Sequence, residues 1–380
     1  MAVARFRIER IHIVHLRMPL VHPFETSFGV ETQKDTILVR VDAEGLHGYG
    51  EAPVHGRPSY SADDVVTTLH VLADFMAPAL VGRRLSGPED LEPDVAGVRG
   101  HRFARAALEL ALADLAARAA GMPLHRYYGA TRERIPVGVS IGIQATPEAL
   151  LDRIAGFLEA GYSRVKVKIK PGWDVAVLGA IRARFPSVML FADANAAYTL
   201  RDLPVLLEMD RYGLALIEQP LGHDDLVDHA RLQARMTTPV CLDESLAGPS
   251  ASRAALRLGA AGAVNIKMAR MGGGVASRRL AECARRLRLP VFCGGMLESG
   301  IGRAHNMALA ALPAFNLPGD ISASDRYYLQ DIVDPPARLE AGGCLALPSA
   351  PGIGVTVLEE RVNAHVQHRR TVTAAGGRSG

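Results

Sequence analysis

Five charged residues, Lys168, Asp193, Glu218, Asp243 and Lys267, recur at separations of 25, 25, 25 and 24 residues. Each closes or directly follows a short apolar run, as in Val165-Lys166-Val167-Lys168, Leu190-Phe191-Ala192-Asp193 and Val264-Asn265-Ile266-Lys267. Charges spaced in this way fall at the C-terminal ends of successive strands, the rim where a parallel β/α barrel gathers its chemistry. Three carboxylates drawn to one rim repel one another, and a hard divalent cation with oxygen ligands relieves that repulsion, Mg²⁺ being the natural occupant. A single acid at a strand end reads as a helix cap or an ion-pair partner; three in register, Asp193, Glu218 and Asp243, read as a metal site.

The lysines point the same way. A strand repeats every two residues, so Lys166 and Lys168 share one face while Val165, Val167 and Ile169 share the other. The apolar face belongs against helices, which turns the lysines toward the barrel axis. Burying an uncompensated ammonium costs several kcal/mol, so a purely packing role is disfavoured. A nearby divalent cation and a second lysine disfavour protonation, and a neutral amine is a competent general base. Lys267 lies several strands away, so it and Lys168 can address opposite faces of one substrate. That geometry suits removal of a proton next to a carboxylate, with Mg²⁺ stabilising the enediolate. Anchoring of a carboxylate or phosphate is the competing role for either lysine.

The elements that must position these groups follow from the same rhythm. Residues 1 to about 60 alternate apolar and polar, with Gly45, Gly48 and Gly50 as turn signals, which predicts antiparallel strands. Helical patterns follow at about Ala62 to Leu80 and His101 to Gly121, making an α+β unit. From Ile135 the pattern becomes strand, loop and helix. Strands are expected at 137–140, 164–169, 188–192, 214–217, 240–242, 263–266 and 290–293, with a weaker one near Phe315 to Leu317. Seven or eight such units favour a closed barrel, and the absence of GxGxxG after the first strand weakens a dinucleotide fold. The division expected is 1–133, 134–325 and 326–380, the last segment returning to the first unit and the stretch from Thr373 disordered.

Composition narrows the function. The chain has 380 residues, 48% of them hydrophobic, and a net charge of +3. Its basic residues are spread along the helices, so no footprint for nucleic acid stands out. No apolar run reaches the length of a membrane span and the N-terminus alternates like a strand, so a cytoplasmic protein is expected. Cys241, Cys283, Cys293 and Cys344 lack metal or disulfide spacing and read as small core residues. His22, His55 and His305 show no metal-ligand spacing. Gly272-Gly273-Gly274 reads as a loop or as a phosphate cradle at a helix N-terminus.

Lys166-x-Lys168, Asp193-x-Asn195, Glu218-Gln219-Pro220, Asp243-Glu244-Ser245 and Asn265-Ile266-Lys267 together resemble the enolase superfamily in its muconate-lactonising subgroup. Within it, Lys168-Ile-Lys-Pro-Gly-Trp-Asp174, Cys293-Gly-Gly-Met-Leu-Glu298 and Leu317-Pro-Gly-Asp-Ile-Ser-Ala-Ser-Asp325 resemble the o-succinylbenzoate synthase and N-succinylamino acid racemase family. The resemblance runs from about Val14 to Val355. It implies a (β/α)7β modified TIM barrel with an α+β capping domain built from the N-terminal region and the C-terminal tail. It implies Mg²⁺, with Mn²⁺ as a substitute, on Asp193, Glu218 and Asp243, and Lys168 and Lys267 as the acid/base pair. Lys166 would tune Lys168 and Asn195 would support the metal shell. Phe24 and Phe28, core aromatics by sequence alone, would cover a small carboxylate substrate. Arg270, Gly294 and Met296 would contact it, as would Ser140, which otherwise reads as a rim hydroxyl. A symmetric homo-oligomer is implied too. Muconate cycloisomerisation, dipeptide epimerisation and a pseudoenzyme that only binds a metal or ligand are the alternatives.

Two departures bear on substrate. Met268-Ala269-Arg270 stands where racemising members carry Pro-Gly-Arg, and Pro53-Val54-His55-Gly56-Arg57 replaces a more apolar loop. The two possible cations, His55 and Arg57, predict a more anionic substrate.

Overall fold

The computed structural model describes residues 5–26 and 29–374. Phe28 and residues 375–380 lie outside the described residues. The chain opens with a long antiparallel hairpin, Arg10–Thr26 against Gly29–Ala43, extended by Leu46–Ala52. The final strand, Val366–Thr373, pairs with the outer edge of Arg10–Leu16. One face of this four-stranded sheet packs on the helix Arg102–Ala119, an Ala- and Leu-rich segment of high helix propensity whose side chains are almost all buried. The approach is close: a Cβ on Gly50 would come within 2.0 Å of the Ala107 carbonyl oxygen, so only glycine fits there. The helix expected over 62–80 starts at Val65, capped by Asp64, and passes through a π turn at Leu72–Met76.

The barrel follows. Its regular strands are Val139–Ile141, Arg164–Lys168, Met189–Asp193, Leu216–Glu218, Val240–Leu242, Ala263–Ile266 and Val291–Cys293, all parallel and in sequential order. The run at Phe315 to Leu317 does not become a strand. Closure comes from the irregular segment 317–320: the Leu317 and Asp320 amides donate to the Val291 and Cys293 carbonyls, and the Gly138 amide donates to the Gly319 carbonyl. Pro318 has no amide hydrogen to donate, which accounts for the loss of a regular ladder.

Two apolar layers flank the strands. Val165, Val167 and Ile169 join the outer core beneath the helices. Phe191, Leu216, Cys241, Ala263 and Phe292 fill the barrel interior and form the floor of the site. Cys241 and Cys293 are buried, but Cys283 is exposed and Cys344 only half-buried, so the core reading of the cysteines holds for two of four. Among the described residues no helix is long and apolar enough to cross a membrane.

Candidate active site

Parallel register aligns the charges. Lys168 is the direct cross-strand partner of Asp193, and Asp193 of Glu218. Asp243 and Lys267 each stand one residue past the ends of the next two strands, so all five meet at one end of the barrel. A cavity of about 410 Å³ opens there. Lys168 and Lys267 enter it from the barrel, while Phe24, Glu31, His55, Arg57 and Tyr60 close it from the N-terminal unit.

Every buried charge in this cluster has a partner, as burial demands. Lys168 Nζ donates to Asp193 Oδ2 at 2.7 Å and to Asn195 Oδ1 at 2.6 Å. Lys166 Nζ lies 2.8 Å from Glu218 Oε2, 3.1 Å from Asp193 Oδ2 and 2.5 Å from Asp320 Oδ2. Lys267 Nζ donates to Asp243 Oδ2 at 2.8 Å and to the Tyr60 hydroxyl at 2.9 Å. Arg270 pairs with the other oxygen of Asp243 and donates to the Tyr60 hydroxyl at 2.7 Å. Asn265 Nδ2 donates to Glu218 Oε1 at 2.7 Å, and Asn195 Nδ2 to Glu244 Oε1 at 3.0 Å.

The electrostatics expose an imbalance among the acids. Burial pushes all three upward, but Lys168 and Lys166 bring Asp193 below its ordinary value, and Arg270 and Lys267 do so more strongly for Asp243. Glu218 is pushed up to about 8 by burial and then by the charges of Asp193 and Asp243. Burial likewise lifts Glu244 to about 7, and its Oε2 is buried without a hydrogen-bond partner. For Lys267, burial acts downward, yet Asp243 and Tyr60 outweigh it and hold the ammonium well above the usual lysine range.

Such a donor set suits a hard divalent cation: three buried carboxylates close enough to repel, one of them driven toward its neutral form. As the side chains stand, ammonium and guanidinium groups sit between the acids, and among the described residues no three His, Cys, Asp or Glu side chains surround a common point. The acids fit the ion by chemistry and convergence, with cations holding their oxygens.

Other expected site residues divide. Phe24, Ser140 and Met296 line the cavity; Phe28 lies outside the described residues. Gly294 is not among the lining residues, and a Cβ on it would come within 2.2 Å of Asn265 Oδ1 and 2.8 Å of the Lys267 side chain. Its absent side chain makes room for Lys267. Arg270 also lies behind the wall, buried on the short helix Met268–Met271 and bonded to Asp243 and Tyr60. Tyr60 and Asp320 carry chemistry that the motifs did not single out. Asp320 falls inside the stretch from Leu317 to Asp325; Tyr60 sits in a loop with no local signal.

His55 differs from the expected cation. Its Nδ1 bonds Glu31 Oε1 on the opposing hairpin strand, and burial and the nearby Lys34 push the imidazole below its usual value despite that carboxylate. His305, likewise, is a buried structural histidine whose Nε2 lies 2.7 Å from the Tyr49 carbonyl.

Comparison with known proteins gives the same picture. Residues 149–361 match the model of the enolase C-terminal domain-like family, and residues 8–129 match the N-terminal domain of mandelate racemase / muconate lactonizing enzyme. An o-succinylbenzoate synthase of Geobacillus kaustophilus is 46% identical over 372 residues, covering 97% of this chain and 99% of that protein. An N-succinylamino acid racemase of Thermus thermophilus is 46% identical over 350 residues, covering 92% and 94%. The crystal structure of an enolase superfamily member from Listeria innocua superposes with a TM-score of 0.94 at 38% identity, covering 97% of this chain and 99% of that one. With synthases and racemases alike matching from end to end, the chain is an enzyme of the enolase superfamily and belongs to its o-succinylbenzoate synthase and N-succinylamino acid racemase family.

Proposed function

We propose that the protein removes the proton α to the carboxylate of a small succinyl-bearing substrate, as an o-succinylbenzoate synthase, an N-succinylamino acid racemase, or both. The observation that carries the reading is the entry of two amines, Lys168 and Lys267, into one cavity from strands well separated around the barrel. In this reading residues 134–325 form the catalytic barrel, and 1–133 with 326–380 cap it. A cytoplasmic location rests on the sequence pattern, and assembly as a homo-oligomer on the family likeness alone.

Asp193, Glu218 and Asp243 would hold Mg²⁺, or Mn²⁺ in its place. Such an ion supplies positive charge against the carboxylate on which negative charge builds as the α-proton leaves. The remaining steps belong to the chain. Asn195 and Asp193 hold the Lys168 amine at a fixed point, and Lys166, itself pinned by Asp320 and Glu218, keeps a positive charge beside it. Lys168 takes the α-proton as the general base. In the dehydration, the C–H electron pair forms the new C=C bond, the C–O bond breaks, and hydroxide leaves as water with the proton Lys168 has just gained. In the racemisation, Lys267 delivers a proton to the opposite face while Lys168 keeps its own, and the roles exchange for the other enantiomer. Met296 and Phe24 exclude water from the reacting carbon.

Proton NMR in D₂O with Mg²⁺ tests this directly. Exchange of the α-proton of N-succinylamino acids, or dehydration of the cyclohexadiene precursor of o-succinylbenzoate, is expected, and Lys168→Ala removes whichever occurs. If neither substrate reacts, the proposal fails.

A further inference from the structure

Both candidate substrates of the proposed reaction, on which the assignment of Arg57 made here rests, carry a second carboxylate, and the cavity has to place it somewhere. The charges lining the cavity are almost all satisfied. Asp193 is held by Lys166 and Lys168, Asp320 by Lys166 and Arg164, and Lys267 by Asp243. Glu31, a carboxylate on the N-terminal side of the cavity, is occupied by His55. Burial first and then the His55 bond and Lys34 act on Glu31, with a net lowering, so its charge is kept and committed.

Arg57 is the exception. Its side chain lines the same cavity and is exposed at the mouth, and no hydrogen bond or ion pair engages it among the described residues. Its position is set by the loop running from Val54, whose carbonyl accepts from buried Lys34, to Tyr60, whose hydroxyl is fixed by Lys267 and Arg270. Three residues of chain span at most roughly 10 Å. Arg57 therefore stands within reach of the far end of an extended dicarboxylate whose near carboxylate lies between the lysines. A guanidinium presents a planar fork of donors matched to a carboxylate, and one with no competing partner gives up no protein contact when it binds.

We propose that Arg57 is a specificity-determining residue that receives the distal carboxylate of the succinyl group. His55 supports this indirectly by occupying Glu31, which leaves Arg57 without a countercharge in the wall. The loop thus offers one unpaired cation beside an imidazole engaged by Glu31, where the sequence predicts two cations.

The test compares N-succinylamino acids with N-succinamoyl analogues, in which a neutral carboxamide replaces the distal carboxylate. The wild-type enzyme is expected to favour the succinyl compound by about tenfold in kcat/KM, the factor that ~1.4 kcal/mol produces. Arg57→Ala abolishes the preference and Arg57→Lys restores part of it. An Arg57→Ala enzyme that keeps the preference, or a wild type that has none, overturns the assignment. Calorimetric binding of the same two ligands separates this from the activity itself. If neither ligand exchanges its α-proton but the protein still discriminates between them through Arg57, the reaction assignment fails and the Arg57 site stands.

Discussion

Glu109, on the helix Arg102–Ala119, accepts a hydrogen bond of 2.8 Å from the backbone N–H of Val275, in the first turn of the barrel helix Gly274–Arg286. Helix N-termini favour anions because their first amides are unpaired and the helix dipole is positive there. The glycines before this helix suggest a cradle for phosphate. The protein fills that place with its own carboxylate: a Cβ on Gly273 would come within 2.2 Å of the Glu109 carboxyl group. The contact joins the N-terminal unit to the barrel.

Burial pushes Glu109 up to about 7, against the Val275 amide and Arg105. Unfolded, the group ionises near 4.5. Between these values the folded protein holds a proton that the unfolded chain has released, so this group's contribution to stability falls as pH rises from about 4.5 to 7 and stays low above. Glu109→Gln keeps an oxygen for Val275 and removes the titration. It is expected to match wild type in denaturant unfolding near pH 4.5 and to exceed it by up to ~3 kcal/mol at pH 8, since a tenfold change in proton affinity corresponds to ~1.4 kcal/mol. Equal midpoints at pH 8 would refute the account.

Glu51 makes a second bridge of the same kind. From the strand Leu46–Ala52 its carboxylate accepts from the Ser299 amide (3.0 Å) and hydroxyl (2.5 Å), the Gly302 amide (2.8 Å) and the Thr36 hydroxyl (2.8 Å). Truncation to alanine leaves three buried donors, the Ser299 amide and hydroxyl and the Gly302 amide, without an acceptor, while the Thr36 hydroxyl keeps the Ala52 carbonyl at 3.1 Å. The expected loss is about 3 kcal/mol or more, because an unmet buried donor costs ~1–3 kcal/mol. Glu51→Gln, which retains one acceptor oxygen, should lose less. Urea unfolding of both variants checks the order.

These bridges explain what can be read from the chain and what cannot. The five charges are legible because a parallel β/α repeat returns the chain to the same rim at a nearly constant interval, and because strand alternation assigns Lys166 and Lys168 to one face. Tyr60 is not, since it comes from a loop 207 residues before Lys267 and only tertiary packing brings the two together. Arg270 and Gly294 lie next to cavity residues in sequence but behind the wall in space, a distinction that spacing does not encode. The eighth strand escapes the pattern because residues 317–320 close the barrel through scattered amides instead of an alternating apolar run.

Tyr60 is expected to act as a positioning residue for Lys267. Its hydroxyl accepts from Lys267 at 2.9 Å and from Arg270 at 2.7 Å, and lies 3.3 Å from Asp243 Oδ2. Tyr60→Phe keeps the ring that lies 4.9 Å from the ammonium and removes only the oxygen. Racemisation, which needs Lys267 to move a proton, should fall about tenfold or more in kcat with little change in KM, the size of one charge-assisted hydrogen bond. Dehydration, for which Lys168 suffices as the base, should fall less. A Tyr60→Phe enzyme that loses both activities equally, or through KM alone, would show the tyrosine to serve only the shape of the loop.

Removal of divalent cations is expected to alter the acids before it alters the fold. Without the ion, Asp193 and Asp243 keep Lys168, Lys267 and Arg270 as partners, so the cluster stays paired and the protein folded. Glu218, held up to about 8 by burial and by Asp193 and Asp243, is the group that gains most when positive charge is added. Dialysis against EDTA should therefore abolish α-proton exchange while leaving the circular dichroism spectrum unchanged. Adding Mg²⁺ should restore exchange and raise the unfolding free energy by ~2.7 kcal/mol at a hundredfold excess over Kd. Glu218→Gln removes a ligand charge, so its Mg²⁺-dependent stabilisation should shrink even where residual exchange is too slow to measure. If EDTA leaves exchange intact, or if Mg²⁺ stabilises Glu218→Gln as much as wild type, the three carboxylates are not the metal's seat.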